Sequence, residues 1–65
     1  MDEDLIRRRI VELQTEHRDL DEAIERLAQQ SGVDELRLRR LKKRRLMLRD
    51  CIVRLQMELV PDIPA

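Results

Sequence analysis

The sequence predicts an all-α protein, an antiparallel two-helix hairpin of coiled-coil type that associates with copies of itself into a helical bundle. Three observations predict it. Gly32 is the only glycine, and the only prolines, Pro61 and Pro64, lie at the C-terminal end, so one hinge separates two long segments without breakers. Apolar residues in both segments recur at alternating steps of three and four, the period of a coiled-coil seam. The composition is 43% charged and 42% hydrophobic, a mixture characteristic of long amphipathic helices.

Helix one, about residues 4 to 30, carries Ile6, Ile10, Leu13, His17, Leu20, Ile24 and Leu27 at seam positions. The hinge spans about residues 31 to 34. There Gly32 suits the left-handed conformation that closes a helix, and Asp34 can cap the next helix by accepting from its free amides. Val33 before that cap and Leu38 four residues after it have the spacing of a hydrophobic staple. Helix two, about residues 35 to 60, carries Leu38, Leu41, Arg45, Leu48, Ile52, Leu55 and Leu59 along its seam. Pro61 disfavours helical geometry at Val60 and should stop the helix at Leu59 or Val60, leaving residues 61 to 65 as a short extended tail. At about 1.5 Å per residue each helix is roughly 38 Å long. Equal lengths suit an antiparallel pair whose facing residue numbers sum to roughly 65. Leu27 then meets Leu38, Ile24 meets Leu41, His17 meets Leu48, Leu13 meets Ile52, and Ile6 meets Leu59.

Two helices alone leave the outer side of each stripe wet, and helix two is apolar on more than one side. Between Leu46 and Val60, ten of fifteen residues are apolar, and Leu46, Val53, Met57 and Val60 form a second stripe beside the seam. A helix of that kind needs more than one neighbour. The predicted state is a homo-dimer, as a four-helix bundle, or a homo-tetramer, associating through the C-terminal half of helix two and the N-terminal half of helix one, with Leu46, Val53, Met57 and Val60 at the interface.

Several functional classes lose their instruments. Sixty-five residues make one domain at most, in the size range where a single core rarely suffices. With no Phe, Tyr or Trp there is no platform on which bases can stack. No apolar run reaches the eighteen or so residues that cross a bilayer, and the acidic Met-Asp-Glu-Asp start differs from a secretory signal. The chain reads as cytoplasmic. One histidine and one cysteine cannot build a structural zinc site in a single chain, and no cofactor motif is present.

The fourteen basic and fourteen acidic side chains are sorted by helix. Residues 1–31 carry five basic and nine acidic groups, a balance of −4, and residues 32–65 carry nine and five, a balance of +4. Arg37 to Arg49 holds eight basic residues and no acid, and Arg37, Arg40, Lys43 and Arg44 are the candidate polyanion contacts. The competing reading is a face neutralised by Glu16, Asp19, Asp21, Glu22 and Glu25 of helix one. His17, a turn from Asp21, can serve as a pH switch or as a metal ligand shared between subunits. Structurally it is a half-buried imidazole held by a carboxylate or a carbonyl. Arg45 is the matching intrusion in helix two, reaching towards the acids of helix one and fixing register. Cys51 reads as a small core residue, and the Arg7-Arg8-Arg9 triplet as solvated surface.

The order of residues adds a resemblance. EHRDLDEAIERL (16–27), then Asp34, then LKKRRLMLRDCI (41–52) resembles the YdcH-like family of small bacterial proteins, a domain of unknown function. His17, Leu20, Asp21, Ile24, Leu41, Lys42, Lys43, Leu46, Leu48, Asp50 and Ile52 match its pattern, and Arg49 stands where Lys is usual. The resemblance implies a short helical hairpin that self-associates in a bacterial cytoplasm, and implies no activity. The combined expectation is a non-enzymatic oligomerisation or protein-interaction module without cofactors, whose partner is itself or another protein. The alternative is a small nucleic-acid-associated protein using helix two.

Overall fold

The computed structural model describes residues 2–60, and the predicted extended tail, 61–65, lies outside the described residues. Two helices, α1 (Glu3–Gln29) and α2 (Glu35–Leu59), fold against each other as a hairpin. Each start is capped by an aspartate. Asp2 accepts from the Asp4 amide at 3.1 Å, and Asp34 accepts from the Arg37 amide at 3.1 Å. The carbonyls of the same two residues accept the first helical bonds, from Ile6 and Leu38. Such caps satisfy amides that the first turn leaves without partners. Val33, half-buried, precedes the second cap, and Leu38, buried, follows it.

The hinge differs in one detail from the expected helix-closing glycine. Gln30 ends α1 in an extended conformation, its amide donating to the Leu27 carbonyl at 3.2 Å. Gly32 comes two residues later at φ +73°, so its left-handed geometry serves the reversal between helices and not the helix terminus. α2 stops at Leu59 with Val60 extended.

The buried side chains are Ile6, Ile10, Leu13, Ile24, Leu38 and Ile52. They fall in two groups. Near the open end Ile6, Ile10, Leu13 and Ile52 pack together, covered by Leu48, Leu55 and Leu59. Ile24 and Leu38 lie near the hinge, and the half-buried His17, Leu20, Leu41 and Arg45 stand between the two groups. Among the described residues no side chain is fully enclosed. The radius of gyration is 15.5 Å, against about 11 Å for a compact chain of this length. The smallest dimension, 14 Å, is that of a single layer of helices. A two-helix layer can bury only the row between its helices, whereas stable domains ordinarily stack two layers around a core.

Candidate interaction surface

α1 and α2 use their apolar residues differently. α1 is strongly amphipathic, and most of its apolar positions converge on the seam, with Leu5 and Val11 exposed outside it. α2 has a seam too, but its other apolar residues lie well outside it. At about 100° per residue, Leu46, Val53, Met57 and Val60 are centred roughly 120° from the seam. They are 60%, 47%, 67% and 59% exposed. Large exposed apolar side chains are unremarkable singly, but these four lie along about four turns of one flank as a continuous apolar stripe.

The opposite flank of α2 carries a groove that sequence reasoning did not single out. It is lined by Leu41, Met47, Leu48 and Cys51 with Arg40, Lys43 and Arg44 along its rim. Cys51 is exposed, contrary to the expected core position, because it is one residue, about 100°, away from the seam residue Ile52. The i, i+4 pair of Met47 and Cys51 was the available signal for this groove.

The polar groups do not pair as the charge balance suggested. Ion pairs within α1 are local: Glu3 and Asp4 with Arg7, Arg9 with Glu12 at 3.0 Å, and Glu22 with Arg26. Among the described residues one ion pair joins the helices, from the Arg45 guanidinium to the Asp21 carboxylate. Arg45 thus reaches an acid of helix one, as its position predicted. Of the candidate polyanion contacts, Arg37, Arg40, Lys43 and Arg44 are all exposed and form no ion pair among the described residues. Arg44 shares a shallow depression with Glu16 and Asp19 without closing on either. Extending a flexible arginine to a solvated carboxylate loses side-chain entropy for little Coulomb gain.

His17 is half-buried and lines two depressions on the face that holds Asp21, Lys42, Arg45 and Arg49. The carboxylate expected to hold it is engaged by Arg45 instead, and no hydrogen bond to the imidazole forms among the described residues. Cys51 opens on the other face, so histidine and cysteine do not converge within one hairpin. No three His, Cys, Asp or Glu side chains cluster as a metal site among the described residues. No helix among them is long and apolar enough to cross a membrane.

The family model described as "Protein of unknown function (DUF465)" matches residues 10–56. The chain belongs to that family. It is the same family as the YdcH-like one that the sequence resembles, and the matched stretch takes in most of α1, the hinge and most of α2. No curated protein matches the chain, and no solved structure does. Within the DUF465 hairpin, α1 leaves the α2 stripe and the basic run of Arg37 to Arg49 uncovered.

Proposed function

We propose that this DUF465 chain is a non-enzymatic cytoplasmic module for oligomerisation or protein–protein interaction, and that the partner completing its hairpin is a second copy of itself. The observation carrying this reading is the exposed stripe of Leu46, Val53, Met57 and Val60 on a hairpin one layer thick. Burying an aliphatic side chain contributes about 1.5–3 kcal/mol, and pairing with a second copy buries two such stripes in one interface. The seam alone gives each hairpin only six buried residues, which makes association a source of stability for the fold.

Light scattering coupled to size-exclusion tests the proposal. The wild-type chain should elute at a multiple of 7.9 kDa, and Val53→Asp should shift it towards the single-chain mass while lowering its helicity. A compact wild-type monomer at micromolar concentration would remove the basis of the reading.

A second reading, association with nucleic acid, draws on a separate observation, the absence of ion pairs at Arg37, Arg40, Lys43 and Arg44 among the described residues. Basic helices neutralise phosphates with a characteristic loss of affinity as salt rises. Charge reversal at Arg37, Arg40 and Lys43 separates the two readings. Lost duplex binding with an intact oligomer supports the nucleic-acid role, and absence of binding by the wild-type chain at low salt removes it.

A further inference from the structure

We infer that the second copy docks antiparallel, α2 against α2, on a two-fold axis that passes beside Val53. This inference deepens the self-association reading and rests on it. It follows from the spacing and charge of one helix flank. Leu46 and Val60 stand seven residues to either side of Val53, about 10 Å along the helix in each direction. A two-fold axis perpendicular to the paired helices therefore sets Leu46 of each copy level with Val60 of the other and brings the two Val53 side chains together. Met57, about 6 Å from the axis level, then lies between the levels of Leu46 and Val53 of the facing helix, as a knob enters a hole. Every apolar residue of the stripe gains a partner from the stripe itself. That self-complementarity is what an isologous interface requires, and it makes a copy of the chain the fitting occupant.

The charges bordering the stripe select the direction. Asp50 and Arg54 lie on the same border of it, both exposed, and neither forms an ion pair among the described residues. A parallel pair, whose two-fold axis runs along the helices, would set each border against the opposite one. It would also lay the run of Arg37 to Arg49, with eight basic residues and no acid, beside the same run of the other copy, whereas the antiparallel pair carries the two runs to opposite ends. In the antiparallel pair Asp50 of one copy comes within about 3 Å, measured along the axis, of the level of Arg54 of the other, and the contact occurs twice. Arg49, on the opposite border, then faces Gln56, a neutral acceptor. Like charges across an interface oppose association and complementary ones fix its register.

Cysteine cross-linking of the full-length chain reads the arrangement directly, with Cys51→Ser removing the native thiol and circular dichroism confirming helicity. Under mild oxidation, C51S/V53C should form a covalent dimer. C51S/L46C alone should not, because the two thiols would stand about 21 Å apart along the axis, beyond the reach of a disulfide. A mixture of C51S/L46C with C51S/V60C should cross-link as a heterodimer. As an independent check, D50R and R54D should each weaken association by roughly tenfold, and the double exchange should restore it. Self-cross-linking of C51S/L46C, or a dimer by light scattering in which C51S/V53C stays reduced, would overturn the antiparallel pairing and leave self-association intact. A monomer by light scattering would overturn both.

Discussion

At the scale of single residues, Arg45 shows how a polar side chain can occupy a seam. Its stem fills the position between the two apolar groups, and its guanidinium bonds to Asp21 at the edge. The arginine side chain is 34% exposed and the aspartate 56%, so solvent screens the pair and its contribution is about 0–1 kcal/mol. Arg45→Leu should therefore raise stability by roughly 1 kcal/mol, since leucine adds apolar burial and Asp21 remains hydrated. Urea unfolding at fixed protein concentration measures it, and a loss of stability would mean that the ion pair contributes more than its exposure allows. Gly32 makes the opposite kind of contribution, through backbone alone. A Cβ there meets nothing within 4 Å, yet φ is +73°, so Gly32→Ala should cost about 1–2 kcal/mol by conformational strain. Gly32→Asn should recover part of that loss, because asparagine tolerates the left-handed region.

At the scale of elements, the helices are stabilised by different means. α1 has acids in its first turn, local i, i+3 and i, i+4 ion pairs, and one apolar face that supplies four of the buried side chains. α2 has an aspartate cap but a run of basic residues spaced as like-charge neighbours, including Arg40 with Arg44 and Arg45 with Arg49. Each such pair opposes the helix by about 0.2–0.5 kcal/mol. Only one α1 acid, Asp21, relieves this run. Raising the salt concentration to about 1 M, where the screening length falls to roughly 3 Å, should therefore raise the melting temperature. A melting temperature that falls with salt would indicate that ion pairing between the helices in solution is more extensive than the Arg45–Asp21 contact.

The same contrast explains what could be read in advance. The caps, the hinge and the three-and-four spacing depend on local chemistry and periodicity, which the order of residues carries. Asp34, Gly32 and the row from Ile6 to Leu13 were legible for that reason. The fate of the charges was not. Whether Arg44 reaches Glu16 depends on side-chain entropy against screened attraction, and the net charge of each half does not encode that balance. Cys51 was placed in the core from its apolar neighbourhood, although a one-residue offset from Ile52 rotates it onto an open flank. Asp21 was paired with His17 by proximity within α1, while Arg45 approaches from the other helix with a stronger charge.

At the scale of the whole molecule, the hairpin is a single layer of two helices. A layer 14 Å thick, with six buried side chains among the described residues, presents apolar side chains of α2 to solvent on two flanks. The proposed self-association couples folding to burial of the Leu46, Val53, Met57 and Val60 flank. Thermal unfolding followed by circular dichroism across a hundredfold range of protein concentration tests this most directly. Coupled folding and association predicts a melting temperature that climbs steadily with concentration, by mass action on the associated native state. A single cooperative transition at one temperature throughout that range, with the mass of one chain, would contradict it.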